Sequence, residues 1–288
     1  VSRIEQALAK AAKERRLSKG SNTEQSPAKI LSPDLLTGLD SRLIAFFSGN
    51  PVAAEQYRQL RTKVLRAKKL YSHNTFLISS ALPGEGKTVT ALSLSITIAQ
   101  GLQETVLLVD SDLRKPAIHR MLGINSGKGL SDILTGKTSI EEVLVKTKID
   151  KLKAITAGTL CSNPSELISS EEMGKLITEL KTRYQNRIII FDSPPIVSLT
   201  DSVVLSQKVD GVLLVVYAKS TPKEAVQDAI ADLGDANVLG VVLNQYDSAA
   251  HYYRRYKGYK YGYGYGYGYG YGYGYGYGRK DDYGKDYS

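Results

Sequence analysis

Cysteine occurs once among the 288 residues, at Cys161, so no disulfide framework can form and a reducing compartment is expected. A reactive thiol at that position is not favoured. Histidine is scarce as well. His73, His119 and His251 stand without ligand spacing, which argues against a structural zinc site. No stretch approaches the roughly 18 consecutive apolar residues that cross a bilayer, and the opening segment does not read as a secretory signal. The chain opens on Val1 rather than Met, which leaves room for residues upstream.

Positive charge is missing where a nucleic-acid binder would need it. The net charge is +9, yet residues 76–248 carry 17 basic against 20 acidic side chains. The excess lies in the flanks: 8 against 5 in 1–50, 6 against 1 in 51–75 and 7 against 3 in 249–288. A slightly acidic core argues against a nucleic-acid partner. Basic flanks suit an acidic partner or the inner surface of a membrane.

Hydrophobic patterning divides the chain into four parts. Residues 1–17 place Ile4, Ala7, Leu8 and Ala11 on one face of an amphipathic helix, which either docks on its own domain or binds a partner or membrane. Residues 18–50, rich in Ser, Gly, Pro and Asn, read as a linker. Residues 51–247 alternate helical segments with short β-branched runs. "TFLISS" (75–80), "TVLLVD" (105–110), "KLKAITAG" (151–158), "RIIIFD" (187–192), "DGVLLVVYA" (210–218) and "VLGVVLN" (238–244) read as strands. Helices are expected from Pro51, after residue 87, over 170–184 and from Pro222. This is an α/β pattern, a mostly parallel sheet covered by helices on both faces. Residues 248–288 lose the apolar pattern; a Tyr-Gly repeat running to Gly278 reads as a disordered tail.

Chemistry concentrates at strand ends. "ALPGEGKT" (81–88) lies between an expected strand and helix, the setting of a phosphate-binding loop. Its small residues let backbone N–H groups surround phosphate oxygens at the positive end of a helix. Pro83, Gly84, Glu85, Gly86, Lys87, Thr88 and Val89 are the expected nucleotide-binding residues, with Lys87 on the β- and γ-phosphates and Thr88 on Mg²⁺. Ala81 stands where such loops usually begin with glycine. "LLVDSDLR" delivers Asp110 and Asp112 at one strand end and "IIIFDSPP" delivers Asp192 at another. Carboxyl ends of strands line the ligand crevice of an open α/β sheet, so the three carboxylates are expected to meet one metal–phosphate group. Asp112 also reads as a cap of the turn before Pro116, and Arg114 and Lys115 as either phosphate contacts or surface pairings.

Residues 52–246 resemble the bacterial tyrosine kinases, P-loop enzymes of exopolysaccharide export. The resemblance rests on "ALPGEGKT", "LLVDSDLRKP" and "IIIFDSPP", with "EQYRQLRT", "GLSDILTG", "NPSELISS" and the terminal tyrosine cluster. "SRIEQALAKAA" is similar to free-standing members of exopolysaccharide loci. The resemblance implies a P-loop fold of the branch that also holds partitioning and cell-division ATPases, with ATP and Mg²⁺ as cofactors. It makes Lys87, Asp110, Asp112 and Asp192 the catalytic set, Thr88, Asp110 and Asp192 the metal site, and Asp112 the base that takes the phenol proton. It makes Glu55, Arg58 and Arg61 an oligomerisation stripe on one helix face, where a solvated surface is the alternative. The implied partners are further copies in a ring, a membrane polysaccharide chain-length regulator as activator, and a tyrosine phosphatase. Cytoplasmic placement at the inner membrane face follows.

The competing reading is a switch ATPase of the same branch without kinase activity. Such proteins carry a signature lysine just after the first loop residue, where this chain has Leu82.

With Leu82, the tail favours the kinase. Of 20 tyrosines, 15 lie in it: Tyr252, Tyr253, Tyr256, Tyr259, Tyr261, Tyr263, Tyr265, Tyr267, Tyr269, Tyr271, Tyr273, Tyr275, Tyr277, Tyr283 and Tyr287. Flanking glycines minimise steric demand, so all 15 are expected phosphoacceptors; a sticky low-complexity tail is the competing use. Each phosphate adds about −1.5 to −2 charges, so modifying half of them overturns the +9 of the whole chain.

Overall fold

A computed structural model describes residues 33–49 and 51–246. The expected helix over 2–17 and the tyrosine cluster from Tyr252 lie outside them. The elements run in the order α1 (Pro33–Leu36), α2 (Ser41–Gly49), α3 (Pro51–Tyr71), β1 (Thr75–Ser80), α4 (Lys87–Ala99), β2 (Thr105–Asp110), α5 (Ile118–Leu122), α6 (Leu130–Leu134) and α7 (Ile140–Val143). There follow β3 (Val145–Lys146), β4 (Leu152–Ile155), α8 (Pro164–Ser169), α9 (Glu171–Arg183), β5 (Arg187–Asp192), α10 (Thr200–Ser206), β6 (Gly211–Tyr217), α11 (Lys223–Leu233) and β7 (Val238–Asn244).

The strands form one sheet in the order β3-β4-β2-β5-β1-β6-β7, parallel except for the β3–β4 pair. Both faces are covered, which is why the strands are apolar almost throughout. Period-two alternation sends Phe76, Ile78, Val106, Leu108, Ile188, Ile190, Leu213 and Val215 to one core, under α2, α3, α4 and α5. Leu77, Leu107, Val109, Ile189, Phe191, Val212, Leu214 and Val216 enter the other, under α6 to α11. Helix α9 shows how the covering is encoded. Met173, Leu176, Ile177 and Leu180 are its buried stripe, the Ser170 hydroxyl accepts from Met173 N–H at its start, and Lys181 and Arg183 occupy its last turn.

The linker expected through residue 50 is corrected at its C-terminal end. Residues 33–49 form α1 and α2, with Leu39 and Leu43 buried and Leu35, Leu36, Ile44 and Phe47 packed on the first core. The physical reason is spacing: Leu43, Ile44 and Phe47 share one face of α2, and Leu35, Leu36 and Leu39 of α1 and the following turn pack on the same core, beneath a composition that reads as polar. The segment is also pinned by Asp40 N–H to the Met121 carbonyl, 2.9 Å, and by Lys148 Nζ to the Thr37 carbonyl, 2.9 Å. Sheet edge β3 and the short helices α5, α6, α7, α8 and α10 were not anticipated, being too short for a period to show.

Register sets the chemistry. Strand β5 lies between β1 and β2, and its Asp192 pairs with Asp110 on one side and Ile78 on the other. The carboxyl ends of β1, β5 and β2 therefore open side by side, with the loop after β1 crossing above Asp192.

Candidate active site

The loop between β1 and α4 is held from below. Ala81 is wholly buried in the second core, which accounts for a methyl where glycine is usual. Gly86 has φ of 90°, and a Cβ there would meet Asn244 Nδ2 at 2.2 Å, so only glycine fits. Asn244, at the end of β7, donates from Nδ2 to the Glu85 carbonyl at 2.8 Å. The Glu85 side chain points inward: one carboxylate oxygen accepts from Leu82 N–H at 2.9 Å and the other from the Thr221 hydroxyl. Of the expected nucleotide-binding residues, Glu85 can thus offer a nucleotide only its backbone, and the Val89 side chain packs on the first core. Among the described residues, the backbone N–H groups of Glu85, Gly86, Lys87 and Thr88 find no acceptor. Free donors at the start of a thirteen-residue helix are what a phosphate takes.

Lys87, the first residue of α4, is only 13% exposed at its side chain. Its Nζ donates to Asp112 Oδ2 at 2.8 Å, lies 4.0 Å from Asp192 Oδ1 and 3.5 Å from the Thr88 hydroxyl. Burial works against its charge, but Asp192, Asp112 and Asp110 together hold its pKa above the ordinary lysine value. The structure thus brings Lys87, Thr88, Asp110, Asp112 and Asp192 together, as the strand-end reasoning requires.

The three carboxylates have different surroundings. Asp110 Oδ2 accepts from Ala117 N–H and Ile118 N–H, both 3.1 Å, at the start of α5, whereas Oδ1 is buried without a partner. Burial, reinforced by the nearby Asp192 charge, raises its pKa to about 8. Both Asp192 oxygens are buried without a hydrogen-bond partner; burial raises its pKa to about 6, with Lys87 and the nearby Thr88 hydroxyl pulling the other way. Asp112 serves two groups at once. Oδ1 accepts from Lys115 N–H at 3.0 Å, which is the turn cap, and Oδ2 takes Lys87.

These residues fit a metal–nucleotide group. Among the described residues no three carboxylate, histidine or cysteine side chains form a ready cation cage. A magnesium ion in a phosphate loop needs only a hydroxyl and one or two carboxylates, because phosphates and water complete its shell. Thr88 and the orphaned oxygens of Asp192 and Asp110 offer that donor set.

The other expected residues separate. Glu55 and Arg58 pair with each other along α3, 2.7 Å apart, and Arg61 donates to the Thr97 carbonyl of α4 at 3.1 Å. One of the three is therefore engaged by its own domain. Sequence reasoning missed Asn244, Thr221, Ser165 and Asp201. Asn244 ends an expected strand beside β6 and Ser165 lies in "NPSELISS", so both carried a signal; Thr221 carried none. The motif "GLSDILTG" is structural, because buried Asp132 accepts from Gly129 N–H and Thr159 N–H at 2.9 and 3.0 Å.

A family of AAA domains (AAA_31) matches residues 75–235. Tyrosine-protein kinase YwqD of Bacillus subtilis (strain 168) is 34% identical over 224 residues, which cover 77% of this chain and 93% of YwqD. The chain belongs to the bacterial tyrosine kinases. Tyrosine-protein kinase Wzc of Salmonella typhimurium is 35% identical over 224 residues, again 77% of this chain but 31% of that longer protein. Among solved structures, the kinase domain of Escherichia coli tyrosine kinase ETK superposes with a TM-score of 0.64 at 28% identity, covering 78% of this chain and 84% of that domain. Leu82, where the switch ATPases carry their lysine, is partly buried against the second core, so the kinase's loop begins with an apolar anchor.

Proposed function

We propose that this chain transfers the γ-phosphoryl group of ATP to the tyrosine cluster Tyr252–Tyr287 of neighbouring copies, and that the modification regulates exopolysaccharide polymerisation and export. The observation that carries the reading is Lys87 Nζ held 2.8 Å from Asp112 above the ends of β2 and β5. Binding ATP would draw Lys87 to the phosphates, and its release from Asp112 would leave a carboxylate free beside the γ-phosphate. Asp112 then accepts the phenol proton as the phenol oxygen bonds to the γ-phosphorus and the bond to the β–γ bridging oxygen breaks, releasing ADP. A phenol with a pKa near 10 needs such a base at neutral pH. When bound, Mg²⁺ between Thr88 and the Asp192 or Asp110 carboxylate would neutralise charge on the transferring phosphoryl group.

Among the described residues no helix is long and apolar enough to cross a membrane. A membrane chain-length regulator as activator, recruitment to the inner membrane face and a tyrosine phosphatase that resets the tail complete the proposal. Head-to-tail assembly into a ring would bring one copy's tail to the next copy's site.

A mixing experiment tests the direction of transfer. A Lys87→Met chain with its tail is mixed with an active chain truncated after Asp247, so phosphate reaches Tyr252–Tyr287 only between molecules. Labelling that rises with concentration is expected, with intact enzyme as positive control. An unlabelled Lys87→Met tail beside robust self-labelling would confine transfer to one chain. For assembly, replacing Glu55, Arg58 and Arg61 together by alanine should leave a folded monomer in light scattering and slow the mixed reaction at least about tenfold. Loss of the Arg61–Thr97 bond should lower stability by about 1 kcal/mol. Oligomers of undiminished size would make the stripe a solvated face.

A further inference from the structure

Arg114 follows Asp112 by two residues and closes a triangle of hydrogen bonds that the reaction scheme does not use. Its Nε lies 3.2 Å from Asp201 Oδ2, its Nη2 donates to the Ser165 hydroxyl at 2.6 Å, and that hydroxyl donates to Asp201 Oδ1. The three residues come from the loop after β2, the first turn of α8 and the first turn of α10. Asp201 is 3% exposed at its side chain, and Arg114 is its one ion-pair partner among the described residues. Burying a carboxylate against a single cation contributes little net stability, because desolvation offsets the attraction. What such a pair does supply is fixed geometry.

The geometry it fixes is that of the Asp112 turn. Lys115 N–H caps Asp112 from one side, and the triangle grips the intervening Arg114. The far end is anchored to the same frame as the phosphate loop. Ser202 of α10 donates to the Pro194 carbonyl just past Asp192, and Ile196 N–H donates to the Ser80 carbonyl at the end of β1, 2.8 Å. Arg114 thus ties the turn carrying Asp112 to the end of β5, which carries Asp192, and to the end of β1, from which the phosphate loop departs.

We propose that the Arg114–Ser165–Asp201 triangle is a positioning device for Asp112, setting the direction in which its carboxylate points once Lys87 has left for the phosphates. The proposal rests on Asp112 as the proton acceptor. Displacing a reacting group by about 1 Å costs on the order of a hundredfold in rate, so the triangle acts on turnover and not on nucleotide affinity.

The test uses the full chain carrying Asp201→Asn, Ser165→Ala, Arg114→Ala or Arg114→Lys. Phosphotyrosine formation should fall about tenfold or more in the first three, with KM for ATP within about twofold of the parent. Arg114→Lys should recover part of the loss, since an ammonium reaches one partner but not both. In an Asp112→Asn background, Asp201→Asn should cost nothing further. Hydrogen exchange gives a readout that needs no kinase activity: the Lys115 amide should exchange about tenfold faster in Asp201→Asn and in Ser165→Ala. A KM for ATP that rises as kcat falls would make Arg114 a phosphate contact. Additive losses on Asp112→Asn, or an unchanged Lys115 amide in both variants, would each overturn the proposal. Inactivity of the unmutated enzyme would sink the kinase reading, while the exchange measurement still decides whether the triangle holds the turn.

Discussion

Lys87→Met is expected to lower phosphotyrosine formation at least about a thousandfold, the range seen when a preorganised charge is removed from a developing oxyanion. Met preserves the length of the side chain and its helix propensity, so α4 should form as before. Lys87 is a mostly buried cation facing Asp112, Asp192 and Asp110. Without it those carboxylates lose their nearest counter-charge, and a destabilisation of about 1–3 kcal/mol should accompany the loss of activity. For a domain of this size that is several degrees in Tm and leaves the protein folded at 25 °C. Mass spectrometry of the tail after incubation with Mg-ATP, paired with a circular-dichroism melt, checks both halves. Normal phosphotyrosine in this variant would remove the phosphate-loop assignment. An unfolded variant would make Lys87 a structural residue first.

Legibility in the sequence followed the range of the interaction. Strands buried on both faces announce themselves as continuous apolar runs, and six expected strands correspond to β1, β2, β4, β5, β6 and β7. The phosphate loop and the aspartates at 110, 112 and 192 were legible for a related reason: each is a local pattern hung on a strand end, and parallel register does the rest. Residues 33–49 show the opposite case. Their helical spacing was present, but Ser, Pro, Gly and Asn around it dominated a reading by composition. Glu85 was legible as a loop member and not as a brace, because its partner Thr221 lies 136 residues away. Asn244 reaches the same loop across 159 residues and Asp201 reaches Arg114 across 87. No local period encodes such pairings; they exist only once the sheet has placed the strand ends together. The acceptor that engages Arg61, a backbone carbonyl of α4, was illegible for the same reason.

Asp112→Asn separates base from ligand. The amide is isosteric with the carboxylate, and its carbonyl oxygen can still accept from Lys115 N–H, so the turn should survive. What it loses is the negative charge that holds Lys87 in the nucleotide-free enzyme and the basicity that receives the phenol proton. The first loss makes Lys87 easier to draw to the phosphates, so affinity for Mg-ATP should be unchanged or up to about tenfold tighter; one fully exposed ion pair is worth about 1 kcal/mol or less, and this one is more buried. The second loss should lower transfer by about 10²–10⁴-fold, the usual contribution of a positioned general base. Binding kept or tightened while transfer falls is what the Lys87–Asp112 contact demands, because the carboxylate competes for the lysine in one state and serves the phenol in the next. Fluorescent-nucleotide titration and single-turnover phosphotyrosine formation measure the two quantities on the same preparation. If affinity and transfer fall together, Asp112 belongs with Asp110 and Asp192 among the groups that hold the metal or the fold, and the proton must leave the phenol by another route.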